Sequence, residues 1–304
     1  MNGMAAALLG KPARIGAVAR VTLTQLVRMR LFLVPAAFSV LFLALQFIPY
    51  QEGLGIEFRG VAQLELLKDI ALGCMQLFGL VFSVAATALL IPRDTEDRIL
   101  YTILCKPVPR FDYLCGKLLG VWGLIFLMVL FMDGMMCLLV GMREAAITAE
   151  LTQALAAGGY SAQDMQPYLE QVAAAGNDWN TQRGILALLL NFGVLTSLTL
   201  LISCFTSGTI VSIIFALGAY IIGMFQGNLF SIIFSGQGIT PFMRGIEHTF
   251  AVFVPDFSIF TVSDSAAGGA VLPWGMLGGM ALVAAGYMLV HLLTATWLFK
   301  RKEF

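Results

Sequence analysis

Apolar residues run in long blocks along this chain, and the polar breaks between them are few. Six blocks reach or approach the roughly 20 residues that a membrane-spanning helix needs: 31–49, 70–91, 118–140, 185–205, 209–230 and 272–299. Only Thr206, Ser207 and Gly208 part the fourth from the fifth. Unbroken, that region is too long for one crossing, and the Ser-Gly pair predicts a tight helical hairpin. Ahead of the first block, Ile15, Val18, Val21 (or Thr22), Leu26 and Met29 recur at three- to four-residue steps. That is the period of an amphipathic helix. The same residues 1–30 hold Lys11, Arg14, Arg20, Arg28 and Arg30 and no acid, which predicts a basic helix lying in the membrane interface.

Composition agrees with the pattern. Of 304 residues 59% are hydrophobic and 12% charged, and the mean hydropathy is +0.87. A soluble domain carries about 25% charged residues, so this is an integral membrane protein. Its net charge of zero gives no footprint for nucleic acid or for an acidic substrate. The first apolar block is long, lies 30 residues in and has no small-residue cleavage site behind it, so it reads as a retained span and not a signal peptide.

Where the charges fall sets an orientation. With the N-terminus placed inside, the inner segments hold 13 of the 18 Lys and Arg residues and the outer ones hold 5. The excess of cations predicts cytoplasmic termini at both ends and an even number of spans, six. The first outer segment, 50–69, is acidic, with Glu52, Glu57, Glu65 and Asp69. The second, 142–183, is Ala- and Gln-rich. It predicts two short external helices, 144–157 and 161–175, parted by Gly158 and Gly159, with Ser161 and Asp164 spaced as a capping box. The third, 231–271, mixes apolar residues with Gly and Pro and predicts re-entrant or interfacial pieces, which membranes tolerate only under cover of protein or along a cavity.

Little enzyme chemistry is legible. The two Gly-Lys pairs, at 10–11 and 116–117, lack the Ser or Thr and the upstream glycine of a nucleotide-binding loop. The five cysteines lie in apolar runs or in the charged connector, where small buried hydrophobes are expected. Two histidines are too few for a zinc site of protein ligands alone. His248 with Glu247 and Asp256 offers a weak acid–base candidate outside. Two ionisable groups stand out within apolar runs, Asp133 and His291. A carboxylate in that position must pair, face water or take up a proton; a helix-contact or pathway role and a place near the outer surface both fit Asp133. Snorkelling or a hydrogen bond to a neighbouring helix fits His291. Glycine pairs at 116/120, 223/227 and 275/279 have the spacing that lets membrane helices approach.

The connector at 91–117 is the most charged stretch. It holds Asp94, Glu96 and Arg98, then Lys106, Pro107 and Arg110, then Tyr113, Leu114, Gly116 and Lys117. In this order it resembles the loop between the second and third spans of type-2 ABC exporter permeases. An acidic stretch, a short helix, a Lys-Pro-x-x-Arg turn and a Tyr-Leu-x-Gly-Lys start to the third span follow one another there. Ile99 departs from the Thr that the family often has. Residues 255–260, Pro-Asp-Phe-Ser-Ile-Phe, are similar to the family's stretch before its last span. The subgroup it looks closest to is linked to multicopper-enzyme maturation.

The resemblance implies an all-α permease of six transmembrane helices in a bacterial cytoplasmic (inner) membrane, with an N-terminal amphipathic helix and a cytoplasmic coupling helix. ATP and Mg would be bound by two copies of a separate P-loop ATPase subunit, with no cofactor or enzyme site on this chain. A second permease copy would complete a homodimer. The docking surface would comprise Asp94, Glu96, Arg98, Lys106, Pro107 and Arg110, with Ile99, Leu100, Ile103 and Leu104 as its apolar centre. Segment 142–183 would offer a place for an external or periplasmic protein. Two readings stay open beside the exporter: a non-transporting scaffold of the same fold that passes force, and a membrane enzyme built on Glu247, His248 and Asp256.

Overall fold

The computed structural model describes residues 2–28, five positions between 33 and 40, 56–96, 109–234 apart from 207, 254–261 and 271–301. Among the described residues it is 92% helical with no strand. In chain order the elements are α1 (Asn2–Arg28), α2 (Ile56–Glu96), α3 (Arg110–Ala157), α4 (Ala162–Ala175), α5 (Trp179–Phe205), α6 (Thr209–Phe234), a 3-10 turn (Phe257–Phe260) and α7 (Trp274–Arg301). Five of these, α2, α3, α5, α6 and α7, are long and apolar enough to cross a membrane. This is a multi-pass helical membrane protein. The block at 31–49 lies almost wholly outside the described residues.

α5 is the axis of the bundle. It packs on α2, α3, α6, α7 and the 3-10 turn. Of its span-length stretch 89% is buried, against 28% for α6 and for α7. Most polar side chains buried in a helix are hydrogen-bonded. Thr196, Thr199 and Ser203 donate to the carbonyls four residues back, Phe192, Leu195 and Thr199, at 2.6–2.9 Å. The predicted hairpin is present. α5 ends at Phe205 and α6 begins at Thr209, and the Thr206 and Ser212 hydroxyls hydrogen-bond across the turn.

Two expectations at the far end, the end away from the charged connector, need correction. Residues 144–157 are not a separate short helix, because α3 runs unbroken through them. Ile147, Leu151 and Leu155 continue its buried seam at four-residue steps, and Gly141 alone is too weak a breaker to stop it. Residues 56–69 are likewise no loop but the first turns of α2, where Leu64 and Leu67 are buried. α4 does stand alone, with Ser161 and Asp164 forming the capping box and Gly159 at φ +78° allowing the reversal before it. These pieces share one core that includes Leu64, Ile147, Leu151, Val172 and Ala175. Gly60 permits a close approach of α2 to α3, since a methyl built there would lie 2.6 Å from Ile147 Cγ2.

α1 is helical as expected, and it packs along the first turns of α3. Thr22 (fully buried) and not Val21 (67% exposed) is on the packed face. Gly116 and Gly120 make the contact. A methyl on Gly116 would sit 2.6 Å from Val18 Cβ and 2.9 Å from Ile15 O; one on Gly120 would sit 2.6 Å from Thr22 Cβ and 2.9 Å from Ala19 O. The two helices therefore run in the same direction, one turn of each against one turn of the other. Gly223 is used too, against Pro255 O and the Phe257 ring, whereas Gly275 and Gly279 have nothing near them.

Candidate coupling site at the charged end of the bundle

Asp94 of α2 is buried. A buried charge is costly unless it is paired, so Asp94 needs a cation. Lys117, two turns into α3, supplies it at 2.7 Å. Tyr113, one turn nearer the start of α3, donates its hydroxyl to the same carboxylate oxygen, Oδ2. The Lys117 ammonium lies 5.7 Å from the Tyr113 ring centroid. Asp94, Tyr113 and Lys117 are 1, 2 and 4% exposed, so this is a buried cluster and not a surface pair.

α3 starts after Pro109, whose fixed φ of −58° suits the position and whose missing N–H costs nothing there. Arg110, the first helical residue, reaches across to α7 and donates to Phe299 O at 2.6 Å. A backbone carbonyl has two lone pairs, and Arg110 takes up one on Phe299 O. Its guanidinium also sits 6.0 Å from the Phe299 ring centroid, and that ring stacks on Tyr113 at 6.1 Å. Asp112, favourably placed in the first turn of α3, faces Arg14 of α1 at 3.5 Å. Four helices, α1, α2, α3 and α7, are thus joined at the two ends of the connector. Beneath them lies a core that includes Ile91, Leu114, Leu118, Leu201, Ala295 and Phe299.

Of the residues assigned to the docking surface, Asp94 and Arg110 belong to this joint. Glu96 is the last residue of α2. Arg98, Ile99, Leu100, Ile103, Leu104, Lys106 and Pro107 fall outside the described residues, as do Glu247 and His248. Asp256 caps the 3-10 turn, accepting from Ser258 N at 2.9 Å and Ser258 Oγ at 2.5 Å.

The two intramembrane candidates are far apart. His291 is fully buried near the charged end, where Nδ1 lies 2.8 Å from Ser197 Oγ of α5. Ser197 Oγ also bonds to Val194 O at 2.7 Å. With its single proton used there, it accepts from His291 Nδ1. Asp133 lies towards the far end. Its Oδ1 accepts from Gln182 Nε2 at 2.8 Å and faces Cys137 Sγ at 3.5 Å. Both residues serve helix–helix contact: His291 joins α7 to α5, and Asp133 joins α3 to α5.

Tyr113 and Lys117 stand out in the sequence as part of a motif, with no sign that they close on Asp94. The available signal was no more than an acid and a lysine at opposite edges of the charged connector. Arg14 and Phe299 carried no such signal, since their roles depend on how α1 and α7 pack. Compared with protein-family models the chain matches none, and it matches no curated protein.

Proposed function

We propose that this chain is the membrane subunit of an ATP-driven exporter, and that the connector between α2 and α3 is where a separate P-loop ATPase docks. One observation carries the reading. The joint of Asp94, Tyr113, Lys117 and Arg110 clamps both ends of a short, charged segment to helices that cross the membrane. A solvated loop needs no such buried frame, and burying an ion pair is costly unless its geometry is good. A segment that must pass movement to spanning helices does need one. In this reading Arg98 and Lys106 form the polar rim of the docking surface, and Ile99, Leu100 and Ile103 its apolar centre. ATP and Mg belong to the partner, two copies of which serve a pair of permease chains at the cytoplasmic side.

The test is co-purification with a separate P-loop ATPase whose hydrolysis this chain alters. Arg98→Glu and Lys106→Glu are expected to abolish that effect while the chain still folds. A purified chain that is stable and active with no such partner sinks the reading.

A second reading, force transmission without transport, is favoured by the unbroken run of α2 and α3 from the joint to the far-end helical domain around α4. ATP hydrolysis that responds to a protein bound at 142–183 and to no small or lipid-like cargo would select it.

A further inference from the structure

One side of α7 is exposed over its whole length. Trp274, Leu282, Leu289, Leu293 and Trp297 are all at least half exposed, and tryptophan stands at both ends of the stripe. At about 1.5 Å per residue the two indoles are about 34 Å apart along the axis. A bilayer's hydrocarbon core is about 30 Å thick, and tryptophan favours the interface on either side of it. The stripe therefore has the length and composition of a lipid-facing surface.

Its Trp274 end is built, not incidental. Asn180 Oδ1 accepts from Leu272 N at 2.8 Å, and Arg183 Nη1 donates to Leu272 O at 2.8 Å. This clip fixes the starts of α5 and α7 side by side. Arg183 lies 4.7 Å over the Trp274 ring, and Trp179 is 78% exposed at the start of α5. Two exposed indoles and a guanidinium at one level suit the headgroup layer, where an amphipathic ring meets water at one edge and a cation meets lipid phosphate.

We propose that Trp179, Arg183 and Trp274 are seated among phospholipid headgroups, and that this boundary crosses α3 at Asp133. Gln182, the neighbour of Arg183, holds Asp133 in the same layer. From Asp112 in the joint to Asp133 is about 32 Å of helix, the same thickness that α7 gives. The apolar run of α3 continues to Val140, but apart from Leu138 its last large residues are apolar for another reason. Met136, Leu139 and Val140 are buried in the core shared with α2 and α4. Asp133 is then an interfacial acid, and α3 rises about 36 Å beyond the membrane.

Two cysteine variants separate this from a span reaching Val140. Leu130 and Leu138 are both about half exposed, so Leu130→Cys and Leu138→Cys leave the core alone. The full chain is placed in phosphatidylcholine–phosphatidylglycerol vesicles, with a charged maleimide supplied to both sides and wild-type uptake subtracted. A thiol in hydrocarbon forms little thiolate, so Leu138→Cys is expected to react about tenfold faster than Leu130→Cys or more. Equal protection of both puts the boundary at or past residue 138 and overturns the proposal. Equal reaction of both overturns the lipid contact itself. Fluorescence gives a second readout. The emission lost in Trp179→Phe/Trp274→Phe is expected to be quenched more by a headgroup nitroxide lipid than by a chain-centre one. Stronger quenching from the chain centre, or by aqueous iodide alone, overturns the assignment.

Discussion

Replacing Lys117 by methionine removes the cation from a joint in which Asp94 is 1% exposed. The side-chain length is nearly kept, so the change is one of charge. Surface ion pairs contribute about 0–1 kcal/mol, but breaking a buried pair costs about 3–5 kcal/mol, because one charge is left without a partner. Tyr113 still donates to Asp94, which places the expected loss towards the lower figure. The measurement is equilibrium unfolding in mixed micelles, run as a double-mutant cycle with Asp94→Asn. Asparagine keeps an acceptor for Tyr113 and removes the buried charge. Lys117→Met/Asp94→Asn is therefore expected to be more stable than Lys117→Met alone, with a coupling of about 2 kcal/mol or more. A local readout goes with it: trypsin should cut at Arg98 sooner in Lys117→Met, while cleavage at Arg143, on the far-end part of α3, stays unchanged. Lys117→Met within about 1 kcal/mol of wild type, or strictly additive losses, would refute the claim that this pair frames the connector.

Three further outcomes follow from the packing. Gly120→Val should destabilise by about 1–3 kcal/mol through overpacking, read in the same unfolding assay, because its side chain meets Ala19 O, which a trimmed Thr22 cannot relieve. Gly223→Ala should dislodge the 3-10 turn, since the new methyl collides with Pro255 O and the Phe257 ring; faster maleimide labelling of Ser258→Cys in that background is the check. Ser161→Ala should cost about 1 kcal/mol and stay local, raising amide exchange in the first turn of α4 and leaving α5 unaltered.

How much of this was legible depends on whether a residue's role is set by its neighbours in sequence or by packing. The hairpin at Thr206 was legible because a Ser-Gly pair interrupts an apolar run too long to cross once. So was the capping box of α4, a purely local device. The lengths of α2 and α3 were not, because Leu64 and Ile147 are spaced for a helix but set among charges, and charge was read as the end of a helix. Helices end at breakers or where their buried face ends, and the shared core of α2, α3 and α4 extends that face. The use of Gly116 and Gly120 was legible as a spacing, but their partner, α1, was not. Within the candidate site the connector stood out by charge. That Asp94 faces Lys117 was hidden by the twenty-odd residues between them.

The dimensions of α3 bear on how the two ends of the molecule communicate. Its 48 residues contain no proline, and at about 1.5 Å per residue they extend about 72 Å. Sharp helix kinks come almost always from proline, Gly/Ser pairs or inserted groups, so α3 behaves as one rod with the Asp94–Lys117 joint at one end. A rotation of about 5° at that joint would move the other end by about 6 Å. That is about one helical turn, and α4, which shares the far-end core, is carried with it. α2 is held in the same joint and shares the same far-end core, so it moves with α3 and not against it. α6 packs on α2, α5 and the 3-10 turn and is tied to α5 by a three-residue turn. If the connector is pushed by a partner, the paired rods α2 and α3 carry the displacement to the core they share with α4, and α6, packed on α2, lies along their path.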